Sequence, residues 1–185
     1  SNDILSYQMN QKDIKGKIKR YFFLNPTTKI RVRQIERVVN VPLPSVLRYT
    51  KELEKEEILK STEIANIRTY SANRNSKWYI LEKRLFNIRQ LYSSGLINML
   101  VETFSNPTII VFGSYIRGED IENSDIDLYI ETPSKKKIKI EKFEKILKRK
   151  IEIFSHKNIR TVKNTELSNN IVNGMTLHGF IEVFK

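Results

Sequence analysis

The sequence predicts two small domains joined by a helix. The first is a unit of three helices and a β-hairpin over residues 1–80. The second is an α/β (α+β) unit over residues 96–185, and residues 81–95 link the two. Three observations predict this. Apolar residues recur at helical spacing before residue 60 and alternate in strand fashion over 60–80. Ser93-Ser94-Gly95 then interrupts the chain. Beyond it, apolar runs of strand length are separated by segments of helix length.

The elements follow in order. Residues 12–24 place Ile14, Ile18, Tyr21 and Phe22 on one helical face, and Asn25-Pro26 ends that helix. Residues 31–39 form a second short helix with Val32, Ile35 and Val38 or Val39 inward. A third helix starts near Pro44, a favourable first-turn position, and runs to about Glu56 with Val46 and Leu53 facing the core. The hairpin arms are Glu63-Ile64 and Arg68–Ser71, with Ala65-Asn66-Ile67 as the tip. Residues 79–92 read as the linking helix, with Trp78 and Tyr79 pinning the hairpin to it. A helix over 96–105 leads to a strand at 108–112. A strand at 124–131, a helix over 138–147 and a strand at 149–154 follow. A helix over 165–172 stops at Asn173-Gly174, and a strand at 175–184 closes the chain.

The chain has 185 residues, of which 39% are apolar, too many for a disordered chain. No run reads as a signal peptide or a membrane span. Cysteine is absent, which excludes disulfides and thiolate metal sites and fits a reducing, cytoplasmic setting. With His156 and His178 the only histidines, a catalytic metal would sit mainly on carboxylates, which favours Mg²⁺ or Mn²⁺. The net charge of +12 points to a polyanionic partner. Residues 1–80 hold 16 Lys+Arg against 8 Asp+Glu, and residues 81–185 hold 17 against 13. The N-terminal part is therefore the better nucleic-acid candidate.

The decisive segment runs from Val111 to Ile130. It contains Gly113-Ser114, ten intervening residues with Arg117-Gly118 among them, and then Asp125-Ile126-Asp127. On a strand, residues two apart share a face, so Asp125 and Asp127 point together while Ile126, Leu128 and Ile130 face the core. Two carboxylates on one face are costly unless a cation shares them. Gly113 lets the backbone approach a phosphate, and the Ser114 hydroxyl and helix-start N–H groups can hold a triphosphate. Arg117, one helical turn on, adds a charge-assisted contact. Glu152 is the candidate third carboxylate, because Ile151 and Ile153 would face the core and leave it on the opposite side.

Gly113, Ser114, Arg117, Gly118, Ser124, Asp125, Asp127 and Leu128 make residues 96–185 resemble the minimal nucleotidyltransferases of the DNA polymerase β superfamily. The resemblance implies a nucleotidyltransferase fold with a small mixed central sheet, two Mg²⁺ ions and an NTP donor. It implies transfer of a nucleoside monophosphate to a hydroxyl, with pyrophosphate leaving. The third carboxylate of that family is usually Asp; here Glu152 is one methylene longer. Minimal members often act beside HEPN partner proteins in toxin–antitoxin pairs, so a HEPN-type protein acceptor is also implied.

The segment 31–59 resembles the helix-turn-helix core of winged-helix regulators, and residues 68–80 resemble the return strand of the wing. That layout places the third helix in a DNA major groove. Ser45, Arg48, Tyr49 and Lys51 lie on its exposed early face, with Arg48 suited to a guanine edge and Lys51 to a phosphate. Arg68, Arg74 and Lys77 on or near the wing would add backbone contacts. Thr50 stands where a larger apolar residue is usual. The helix at 79–92 offers a seam for a homodimer.

The leading expectation is a DNA-binding regulator carrying a nucleotidyltransferase. The alternative is a winged-helix repressor whose second domain is catalytically inert and senses nucleotide or dimerises. A small-molecule transferase ranks third, since it needs no basic N-terminal domain.

Overall fold

The computed structural model describes residues 13–183. The chain divides between Lys83 and Arg84 into two compact units.

In the first unit, α1 spans Ile14–Leu24 and is capped by Asp13, whose carboxylate accepts from the Gly16 N–H at 2.8 Å. Lys12, taken above as the start of this helix, lies outside the described residues. The buried face is Ile18, Phe22 and Phe23, whereas Ile14 and Tyr21 are only half-buried. Phe23 wins its place by packing edge-on against Tyr79, with centroids 5.5 Å apart. A two-residue strand β1, Lys29–Ile30, follows; it is too short to leave any periodicity in the sequence. Helix α2, Val32–Val39, buries Ile35 alone. Val38 is 53% exposed and Val39 half-buried, because two turns of helix present only one narrow stripe.

Helix α3, Leu43–Lys55, buries Val46, Thr50 and Leu53. Thr50 takes an apolar position by donating its hydroxyl to the Val46 carbonyl at 2.8 Å, so no polar group is stranded. Strands β2, Leu59–Ile64, and β3, Ile67–Ala72, form a hairpin, and β1 pairs with β3 to give an antiparallel sheet of order β1-β3-β2. The tip is two residues, Ala65 and Asn66, both at positive φ; Ile67 belongs to the strand, opposite Ile64.

Helix α4, Lys77–Ser93, begins two residues before the expected Tyr79. Tyr79 is buried and packs against Phe23 of α1, and Trp78 is 48% exposed.

The second unit contains the rest of α4 and then α5, Leu96–Thr103, β4, Thr108–Phe112, α6, Gly113–Arg117, and β5, Ile126–Glu131. It continues with α7, Glu141–Leu147, β6, Ile151–His156, a 3-10 turn at Ile159–Thr161, α8, Thr165–Val172, and β7, Met175–His178. β7 ends six residues before the expected end at Phe184, which lies outside the described residues. Asn173, read above as half of a glycine cap, closes α8 at φ −86° rather than in the left-handed region.

The four strands form one mixed sheet of order β6-β5-β4-β7, parallel only between β5 and β6. Alternation divides its side chains between two cores. Ile109, Val111, Ile126, Leu128, Ile130 and Ile151 pack with Leu91, Leu96 and Leu100 on one face. Ile110, Phe112 and Tyr129 pack with Ile159, Val162 and Ile171 on the other. Asp127 lies on β5 two residues from Tyr129 and so shares this second face.

Candidate active site

The β4–β5 register sets Phe112 opposite Asp127, so the chain leaves β4 directly into Gly113 beside the Asp127 carboxylate. Gly113 has φ +78°, and a Cβ built on it would stand 2.3 Å from Asp127 Oδ2. Glycine is thus required twice, once for the left-handed backbone and once for the approach of the carboxylate. Gly118 ends the short helix α6, again left-handed at φ 73°.

The parallel pairing of β5 with β6 sets Asp127 opposite Glu152. Glu152 is exposed while Ile151 is buried and Ile153 packs on the opposite core, which is the alternation expected of it. Asp125 lies one residue before β5 and is exposed. It therefore stands in the loop that feeds the strand, one residue outside the regular alternation used to place it. The Ile126 N–H donates to the Lys150 carbonyl at 2.8 Å, which ties this entry point to the approach to β6.

Asp127 feels the charge of both other carboxylates. Partial burial pushes the Asp127 carboxyl above the ordinary carboxylate range, and the negative charges of Glu152 and Asp125 push it further in the same direction. Arg117 opposes the shift. The Arg117 guanidinium is itself held by Glu119, Nε to Oε2 at 2.7 Å, with both side chains more than half exposed. Among the described residues no three His, Asp or Glu side chains are already gathered tightly enough to hold a metal ion. The donor set nevertheless fits a hard divalent cation: three carboxylates with an unbalanced negative charge and no sulfur ligand.

An open cleft of about 430 Å³ lies at this point, lined by Phe112, Gly113, Ser114, Arg117, Asp127 and Phe154 together with residues of α8 and its cap. The Phe112 and Phe154 rings lie 5.5 Å apart. Asn164, Glu166 and Asn170 add polar groups from α8, and Asn164 also caps that helix by accepting from the Leu167 N–H at 3.0 Å. The α8 contribution was not legible in the sequence. Asn164, Glu166 and Asn170 form no fixed-spacing motif, and only the fold brings them to Gly113. His156 lies 6.0 Å from Tyr129, ring to ring, and His178 Nδ1 contacts the Pro107 carbonyl at 2.6 Å, so both serve packing.

In the first unit, Arg48, Lys51, Arg68, Arg74 and Lys77 are exposed, and Ser45 and Tyr49 half-buried. Arg48 lies 4.3 Å over the Tyr49 ring, donates to the Tyr49 hydroxyl and approaches Glu52 at 3.5 Å. Arg68 pairs with Glu63 across the hairpin at 3.6 Å. Lys77 lies 5.3 Å over the Trp78 ring.

The second unit is thus an α/β domain whose mixed sheet carries a glycine-serine turn packed against a strand aspartate. Residues 94–177 match the family described as "Nucleotidyltransferase domain". This match covers most of the second unit and a little under half of the chain, and it likens that unit to a nucleotidyltransferase domain. No curated protein and no solved structure matches the chain. Among the described residues no helix is long and apolar enough to cross a membrane.

Proposed function

We propose that the second unit transfers a nucleoside monophosphate from an NTP to an acceptor hydroxyl. The observation that supports this is the close approach of Gly113 to the Asp127 carboxylate, which brings the glycine-serine turn against the acidic strand. Ser114 and the start of α6 would hold the triphosphate, and Arg117 would exchange Glu119 for phosphate oxygens. Phe112 and Phe154 offer an apolar wall for the nucleoside. Asp125, Asp127 and Glu152 would hold Mg²⁺ or Mn²⁺, which when bound neutralises charge on the attacking and leaving oxygens. The acceptor oxygen forms a bond to the α-phosphorus, the bond to the β-phosphate oxygen breaks, pyrophosphate leaves, and the hydroxyl proton passes to solvent.

We further propose that the first unit is a winged-helix DNA binder. Its three helices, the hairpin and the exposed cations of α3 and β3 support that reading. A HEPN-type protein as acceptor rests on the family resemblance.

Incubating the chain with a candidate acceptor and α- or γ-labelled NTP tests the chemistry. Label must appear on the acceptor from the α position alone and must disappear in Asp125→Asn. Transfer of γ label, or label surviving that change, contradicts the proposal.

A further inference from the structure

A buried polar cluster beside the carboxylates plays no part in the reaction outlined above. Asp120 is 1% and Arg149 7% exposed, and their side chains pair at 3.3 Å. Asn87, itself 1% exposed, donates its amide to Asp120 Oδ1 at 2.8 Å and to the Tyr115 carbonyl at 2.7 Å. Arg149 Nη1 also donates to the Lys148 carbonyl at 2.9 Å.

Each member stands on a different piece of the site. Tyr115 follows Ser114 in α6. Asp120 opens the irregular segment that ends in Asp125. Arg149 stands three residues before Glu152, next to Lys150, whose carbonyl holds the entry to β5. Asn87 belongs to α4. Between Gly118 and β5, the segment's other fastening is local: Ile121 accepts from the Ser124 N–H at 3.0 Å and donates to the Ser124 hydroxyl at 2.9 Å. A local turn shapes the segment without fixing where it sits. The Asp120–Arg149 pair and the Ile126–Lys150 bond tie it to the approach to β6.

Burying an ion pair gains little stability over an apolar packing of similar volume, and its best-attested use is to fix geometry. We propose that Asp120 and Arg149 are positioning residues, whose buried pair sets the spacing of α6, the Asp125–Asp127 segment and Glu152 so that these carboxylates can share a divalent ion. This rests on the metal-dependent reading above. Neither residue touches the ion; each acts through the backbone that carries its ligands, as outer-shell groups do at other metal sites.

The test uses the full chain with Mn²⁺ alone as probe, read by electron paramagnetic resonance, together with backbone amide exchange. Asp120→Asn keeps the shape and the bond from Asn87 but removes the charge. It is expected to weaken Mn²⁺ binding about 10- to 100-fold, with amide exchange rising together in residues 119–125 and 149–153. Arg149→Lys keeps the charge and loses the fork, and is expected to give a smaller loss in the same two segments. It also serves as the second variant should Asp120→Asn fail to fold. A merely structural pair would lower the melting temperature while folded variants bind Mn²⁺ as the parent does, and that overturns the proposal. Exchange that rises around residue 120 alone overturns it as well. A parent chain that takes up no Mn²⁺ refutes the metal reading itself and the proposal with it. Loss in the variants but not the parent upholds both.

Discussion

Gly113 is the residue on which the geometry turns. Any side chain there meets Asp127 Oδ2 at 2.3 Å and adopts a left-handed backbone costing about 1–2 kcal/mol. Gly113→Ala is expected to cut NMP transfer by about 100-fold, as small displacements of reacting groups do, while the domain remains folded. Steady-state transfer with circular dichroism as the folding control checks this. Asp127 gives a second prediction, of opposite sign for stability and activity. Its folded carboxyl titrates above its unfolded value, so the fold favours the protonated form. The stabilisation is complete below the unfolded value near pH 4 and is lost as pH rises through the raised folded value. In chelator, melting temperatures of the parent should fall relative to Asp127→Asn across that window. The variant should be the more stable at pH 7 and lack transfer activity. A parent that gains on the variant as pH rises contradicts the assigned strain. Their proximity was legible in the sequence, because a glycine-serine pair after one strand and an aspartate on the next are brought together when the two strands pair.

At the scale of elements, the regular ones were legible and the irregular ones were not. β4 and α8 match the expected spans because their apolar runs and caps are local signals. β1 was missed since two residues carry no period, and its pairing with β3 is a tertiary event. Asp125 was placed on the strand, but β5 begins one residue later, where the Ile126 bond to Lys150 starts the ladder. The α8 side of the cleft was not foreseeable, since nothing in residues 164–170 refers to a glycine-serine turn about fifty residues earlier. The hairpin tip makes its own prediction. Ala65 and Asn66 both adopt positive φ, which suits Asn-Gly far better than Ala-Asn. The double change Ala65→Asn with Asn66→Gly should stabilise the first unit by about 1 kcal/mol, measured by urea denaturation. A loss of stability would mean that the tip has another conformation.

For the whole molecule, the charge of +12 and the family match of residues 94–177 describe different halves of the proposed activity. Electrostatics would bring the chain to a polyanion, and the carboxylate cluster would do the chemistry. DNA binding should therefore weaken linearly on a log–log plot against salt. Lys51→Ala should lower the magnitude of that slope by about 1, whereas Arg48→Ala should cost about 1–3 kcal/mol at the preferred site and relax sequence preference. Unchanged slopes would make the exposed cations of α3 a solvated face. The central claim, however, concerns the acidic strand and the turn beside it. Its most direct measurement is a crystal structure with Mn²⁺ and a non-hydrolysable NTP analogue. The account predicts an ion shared by Asp125, Asp127 and the triphosphate, with the phosphates on Gly113 and Ser114. Nucleotide bound elsewhere, or ions absent from both aspartates at saturating Mn²⁺, would contradict it.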